Sequence, residues 1–292
     1  MTHVPARDLG LLIAITLIWG LNLVVSKFGL EELPPLVFSA LRFAVVAACT
    51  FPFLRVIRGR MGAMVVAALL AGGLNFALLF AGLALAENVS AVAIASQLTV
   101  PFTTLLSVGL LGETVRWRRW SGIALSFTGV LVMGLDPAAF AYWPSLLLVV
   151  ASALVGSLGV IALKRLPGFA PLEIQAWFSW ISLPVLGVLA LLIEQPTAAG
   201  LADVSWRAWG ALAYTALLGT LVGHTVFFHL VSRHPVTRIA PLTVLSPVFS
   251  VCFAIWLLDD ELTLRLVVGG ALTLAGVVII SLREHRLADT GS

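Results

Sequence analysis

Of the 292 residues, 60% are apolar and only 11% are Asp, Glu, Lys or Arg, whereas an average soluble domain carries about 25% charged residues. A soluble fold of this size cannot hide so much apolar surface, while a bilayer accepts it if every backbone hydrogen bond is closed internally. The net charge of +3 reads as the basic loops of a membrane protein and not as a nucleic-acid footprint.

The apolar runs are continuous and do not alternate, which predicts helices. A spanning helix takes about 17–25 residues, and charged or Pro-rich breaks divide the chain into ten spans: 9–30, 35–54, 61–86, 89–112, 119–135, 143–163, 172–193, 206–232, 236–258 and 264–282. The first exceeds a signal-peptide core of roughly 7–15 residues and lacks a small-residue cleavage pattern, so it is expected to stay as the first span. The loops are short and leave no room for a soluble domain. Cys49 and Cys252 lie inside apolar runs and read as small hydrophobes, with no disulfide or metal framework.

Basic residues set the orientation. With ten spans, thirteen fall on the side of the N-terminus: Arg7, Arg55, Arg58, Arg60, Arg116, Arg118, Arg119, Lys164, Arg165, Arg233, Arg238, Arg283 and Arg286. Only Arg207 and Arg265 fall opposite, while Lys27 and Arg42 lie within the membrane. Both termini are therefore expected in the cytoplasm, with the chain in a cell (inner) membrane.

The two halves correspond. Shifting by 146 residues puts Gly73 on Gly219 and Pro101 on Pro247; shifting by 147 puts Arg118 on Arg265, Gly122 on Gly269 and Gly129 on Gly276. Five spans per half is an odd number, so the second half must be inverted, an arrangement frequent in secondary transporters that bind substrate near midplane between the repeats. The loop after Glu113 is basic, and its counterpart Asp259-Asp260-Glu261 is acidic, as inversion requires. The expected architecture is an all-α integral membrane protein of ten transmembrane helices, built as two inverted five-helix repeats, residues 1–136 and 137–292, around a central cavity.

Polar groups inside spans need a partner or a wet cavity. In chain order, Trp19, Asn22 and Ser26 share one face of the first helix and form either a cavity wall or interhelical glue. Lys27 lies near the outer end of that helix, where its ammonium can snorkel; with Arg42 and His224 it is also a candidate proton or carboxylate contact. Arg42, deeper in the second helix, should face protein or water, with Glu31, Glu32 or a substrate carboxylate as partner. Asn75, Gln97, His224 and Ser246 are further mid-span groups able to ring a central site, with Phe228, Phe227, Trp177 and Trp180 as candidate aromatic lining. His224 lies deeper than His229 and is the better candidate for a proton-linked or substrate contact. Pro101 and Pro247 occupy matching places and could act as paired hinges, or simply as static kinks.

The absences also discriminate. There is no Walker-type loop, no cluster with metal-ligand spacing, no Ser/His/Asp arrangement and no mid-membrane carboxylate. The expectation is no cofactor, no metal and no enzyme activity, with neutral or zwitterionic cargo. A membrane enzyme acting on lipid or polyprenyl-linked substrates is the rival; it would need acids or histidines clustered at one interface, and only Asp259-Asp260-Glu261 is dense.

The chain resembles the drug/metabolite transporter superfamily, EamA type. The resemblance rests on Trp19-Gly20, Asn22 and Lys27; on Leu41-Arg42-Phe43; on Pro101 through Gly112-Glu113 to Trp120, Gly122 and Gly129; and on Pro247, Asp260-Glu261, Gly269 and Ala275-Gly276. It covers essentially the whole chain, and it departs from the family pattern at Asp260, where a Gly usually precedes the acidic residue. The resemblance implies ten helices in two inverted repeats, a cavity lined chiefly by helices 1, 3, 4, 6, 8 and 9, and export of metabolites such as amino acids, most like the bacterial aromatic amino acid exporters. The partners expected are a small-molecule substrate and the lipid bilayer, with no nucleic acid and a monomeric chain.

Overall fold

The computed structural model describes residues 5–56, 59–135, 143–164, 169–234 and 242–288. Its described residues hold ten long helices. α1 is Ala6–Leu30 and α2 is Pro35–Thr50. α3 runs from Met61 to Leu85 and α4 from Val89 to Leu111. α5 is Trp117–Gly134, α6 Trp143–Lys164 and α7 Pro171–Glu194. After a single turn at Ala198–Ala202, α8 extends from Trp206 to Arg233, followed by α9, Leu245–Leu258, and α10, Leu264–Ala288.

Eight of these are long and apolar enough to cross a membrane. The other two have simple reasons. α5 starts at Trp117, two residues before its expected limit, and so takes in Arg118, which with Arg119 lowers its hydropathy. The expected ninth span includes residues 236–241, which lie outside the described residues, leaving 14 residues in α9.

Because no water reaches the bilayer interior, a helix start needs a partner from within the chain. Pro35 and Pro171 stand at the first positions of α2 and α7, where a missing N–H costs nothing. The Glu194 carboxylate at the end of α7 accepts the next two α2 donors, Leu36 N and Val37 N, both at 2.8 Å.

The packing has the exchange pattern of two inverted repeats. α2 lies on α7 and α5 on α10, each pair mapping onto itself when the halves are swapped; α1 lies on α8 and α9, as α6 lies on α3 and α4. At the α5–α10 crossing, Gly122 meets Gly276 and Gly129 meets Gly269. The 147-residue shift carries the first of these contacts onto the second.

Helix irregularities repeat too. α3 widens to a π-helix over Ala68–Leu74, and α8 does so over Tyr214–Val222, starting at equivalent residues. α4 tightens to a 3-10 turn at Ser96–Leu98, and α9 starts after a break at Val244. Each precedes a proline, Pro101 or Pro247, which offers no N–H to the carbonyl four residues back and crowds it with its ring. The paired prolines therefore sit beside real interruptions of the helix.

Candidate functional site

The wide turn of α8 gathers the polar side chains of three helices. α1 comes close because Gly219 and Gly223 have no side chains: a Cβ on Gly219 would lie 2.1 Å from Asn22 Oδ1, and one on Gly223 would lie 2.5 Å from Trp19 Nε1. The Trp19 indole donates to the Gly219 carbonyl at 3.0 Å. Its ring centroid is 5.5 Å from those of His224 and Phe227, and His224 Nδ1–H donates to the Thr220 carbonyl at 2.9 Å.

Arg42 enters from α2. Its Nε and Nη2 donate to Thr220 Oγ1 at 3.1 and 2.5 Å, and that hydroxyl donates to the Thr215 carbonyl at 2.9 Å. One proton and two lone pairs are thereby all used. Only 2% of Arg42 is exposed. Its guanidinium lies over the rings of Phe76 at 4.2 Å, Phe80 at 5.4 Å and Phe43 at 5.7 Å, contacts that help to hold a desolvated cation. Among the described residues no carboxylate is within ion-pair distance of it.

Two atoms of this cluster are buried without a hydrogen-bond partner, Arg42 Nη1 and Asn22 Oδ1. Buried polar atoms are nearly always paired, and leaving one unpaired costs about 1–3 kcal/mol, more for a charged group. One is a charged donor and the other an acceptor.

The other expected residues are distributed differently. Ser26 is buried and spends its hydroxyl on the Asn22 carbonyl at 2.6 Å, within its own helix. Asn75 points to the opposite side of α3, donating to the Ser152 carbonyl at 3.0 Å and packing on Gly156 of α6. The Ser246 carbonyl lies 2.9 Å from where a Cβ of Gly20 would stand, so Ser246 belongs to the α1–α9 crossing. Gln97 is half-buried in the 3-10 turn of α4. The side chain of Phe228 lies outside the described residues. Trp177 and Trp180 donate to the Arg55 and Ala47 carbonyls, tying α7 to the end of α2 instead of lining the α8 cluster.

Lys27 corrects an expectation. It does not snorkel: its ammonium turns inward and donates to three carbonyls at the end of α3, Leu83 and Ala84 at 3.1 Å and Ala86 at 2.5 Å. An ammonium has three donors, and all are spent. Glu32 likewise does not reach Arg42. Its carboxylate accepts from Ser205 N at 2.6 Å and Ser205 Oγ at 2.5 Å, and these bonds hold its pKa below the ordinary glutamate value.

The face opposite the chain termini is closely tied. Asp260, 7% exposed, accepts from Ser90 N and Ser90 Oγ at 2.8 Å, and Asn88 donates to the Glu261 carbonyl at 3.0 Å. Arg265 donates to the Leu135 carbonyl. The residue in the glycine-like place is Asp259 and not Asp260: Asp259 ends α9 with φ of 55°, as Gly112 ends α4 with φ of 69°. Asp tolerates this left-handed conformation better than most residues, and Asp260 is thereby free to cap α4. Behind these loops is a cavity of about 260 Å³, lined by Val92, Met133, Leu146, Leu258 and Leu266 and rimmed by Glu87, Asn88, Ser145 and Asp259 to Glu261. On the terminal face, His234 and Asp8 meet at 2.6 Å, joining α8 to α1.

Thr220 and the Asp8–His234 pair are absent from the residues singled out by sequence. Thr220 had one signal, its place beside Gly219, the partner of Gly73. His234 was hidden because it lies past the end of its span, where polar residues are ordinary.

Comparison with known proteins places the chain in a family. The profile of the EamA-like transporter family matches residues 8–135 and again residues 143–282. A probable amino-acid metabolite efflux pump of Escherichia coli K12 is 28% identical over 98% of this chain and 99% of its own length, and one of Salmonella typhimurium is 27% identical over 94% of each. A probable terminal-alkyne amino-acid exporter of Streptantibioticus cattleyicolor is 30% identical over 62% of this chain and 60% of its own. A solved crystal structure shares the fold, with a TM-score of 0.65 at 19% identity over 97% of this chain and 99% of the other. With both halves matched, the chain belongs to the EamA-like transporter family, and it is a multi-pass membrane transporter and not an enzyme.

Proposed function

We propose that the protein exports small metabolites, chiefly aromatic or other apolar amino acids, from the cytoplasm by alternating access. In this reading the terminal face is cytoplasmic, residues 1–136 and 137–292 are the two units that rock against each other, and the α1–α2–α8 cluster contacts the cargo. Trp19, Asn22, Arg42 and His224 are its principal residues, and Pro101 and Pro247 act as hinges.

The observation that carries this is the buried guanidinium of Arg42, held against the wide turn of α8 with no described carboxylate at ion-pair distance. A cation within a membrane costs a few kcal/mol or more and marks a ligand or ion pathway, and π-helical turns occur often at functional sites. The amino-acid cargoes in the names of the relatives supply the substrate class, and the matched interruptions of α3 with α8 and of α4 with α9 supply paired places to bend.

Counterflow of labelled phenylalanine into liposomes holding the purified protein is the test. Saturable uptake, driven by unlabelled phenylalanine inside and leaving the solute chemically unchanged, is expected. No flux of any amino acid tested would overturn the reading.

A further inference from the structure

We propose that Arg42 Nη1 and Asn22 Oδ1 are the two prongs of a head-group clamp that recognises the zwitterion of an α-amino acid, the guanidinium taking the carboxylate and the amide oxygen taking the ammonium. The inference rests on the transport reading above and adds what the site selects.

Both atoms are buried and unpartnered. They flank successive residues of one turn: Asn22 Oδ1 stands against the Cα of Gly219, and Arg42 holds the hydroxyl of Thr220. Consecutive Cα atoms are about 3.8 Å apart, so the two prongs stand against adjoining residues of the same turn, and the clamp requires one head group to span them. Their polarity is complementary to a zwitterion. Arg42 carries a full charge that no described carboxylate balances, and a carboxylate arriving at Nη1 would supply both the missing acceptor and the missing negative charge. The Asn22 oxygen accepts, which suits an ammonium.

The surroundings select the rest of the cargo. Phe43, Phe76 and Phe80 lie around the guanidinium, and Trp19, three residues before Asn22 on α1, packs on Phe227. They favour an apolar or aromatic side chain. Thr220 keeps the guanidinium in register by taking Nε and Nη2 together, leaving Nη1 as the donor for cargo.

The experiment measures counterflow of labelled phenylalanine in proteoliposomes, competed by unlabelled phenylalanine, by phenylethylamine, which lacks the carboxylate, and by 3-phenylpropanoate, which lacks the ammonium. The wild type should be competed strongly by phenylalanine and at least tenfold more weakly by either analogue, since a lost charge-assisted hydrogen bond is worth about ten- to hundred-fold in binding. Arg42→Gln should erase the preference for phenylalanine over phenylethylamine, and Asn22→Ala the preference over 3-phenylpropanoate. Should Arg42→Gln not fold, Arg42→Lys, read by the same competition ratio, should keep the charge and lose most of the preference. Equal competition by all three solutes in a wild type that transports phenylalanine would overturn the clamp alone, as would variants that transport with unchanged ratios. A wild type that moves no amino acid would overturn the transport reading and the clamp with it.

Discussion

Ser126 of α5 and Thr273 of α10 reach across to each other: the Ser126 hydroxyl donates to the Thr273 carbonyl at 3.3 Å, and the Thr273 hydroxyl, which donates to Gly269 of its own helix at 2.8 Å, lies at the same 3.3 Å from the Ser126 carbonyl. The 147-residue shift carries Ser126 onto Thr273, so this is a contact of the repeat axis with itself. The glycines around it set the closeness of the helices. A Cβ on Gly129 would lie 2.4 Å from the Gly269 carbonyl oxygen and 2.5 Å from Thr273 N, and one on Gly276 would lie 2.4 Å from the Gly122 carbonyl oxygen. Backbone atoms cannot swing aside.

Gly129→Ala and Gly276→Ala should therefore each destabilise the protein by about 1–3 kcal/mol, the cost of overpacking a close helix crossing. Thermal unfolding in detergent, followed by loss of the monodisperse species, checks this. Gly62→Ala and Gly109→Ala meet nothing within 4 Å and should leave Tm nearly unchanged. Equal behaviour of the four variants would remove the crossing as the basis of the α5–α10 pairing.

Those glycines were visible in the sequence, because matching Gly122 with Gly269 and Gly129 with Gly276 needs only a shift of register. The spans were equally legible, since the bilayer imposes one rule on every lipid-facing residue. The wide turns were not. A π-helix moves hydrogen bonds by one residue without changing which residues are apolar, so Ala68–Leu74 and Tyr214–Val222 leave no trace in hydropathy. Arg42 stood out as a buried charge, but its partner did not: Glu32 is closer in sequence, yet it is held by Ser205, while Thr220 is one hydroxyl among many until the fold puts it under the guanidinium. Lys27 went the other way because three carbonyls at a helix end solvate an ammonium without exposing it.

Gly219→Ala should impair transport by displacing Asn22, whose amide oxygen lies 2.1 Å from the new methyl position. The obstacle is the end of a side chain and can rotate away, so the fold should survive with Tm lowered by a few degrees at most. The expected outcome is a rise in the half-saturation concentration for phenylalanine of about tenfold, the loss of one hydrogen bond from the site. Unchanged saturation in counterflow would mean that the amide is not positioned by α8.

Lys27→Met should loosen the junction of α1 with the end of α3 by about 2–3 kcal/mol, as a charge-assisted bond is lost and carbonyls are left to find water. Lys27→Arg should recover only part of this. A planar guanidinium sends its donors outward in a fork, whereas the Leu83, Ala84 and Ala86 carbonyls converge on one point. Thermal unfolding of the three proteins should rank wild type above Lys27→Arg above Lys27→Met; full recovery by arginine would show that charge alone matters there.

Glu32 gives the far face a pH dependence of known sign. The N–H and hydroxyl of Ser205 hold its carboxyl below the ordinary glutamate range. A carboxyl whose pKa falls on folding contributes stability that is fully present above its unfolded value, roughly 4.3, and that is lost as the pH drops through the lower folded value. Ser205 is the N-cap of α8, its hydroxyl accepting from Ala208 N at 3.3 Å, so protonating Glu32 loosens the entry of the helix that carries Gly219 and Thr220. Glu32→Gln imitates the protonated acid. Its Tm should lie below that of the wild type at pH 7 and converge with it as the pH falls below about 4, whereas a gap that stays constant from pH 7 to 3 would rule out an ionised Glu32 as the anchor of α8.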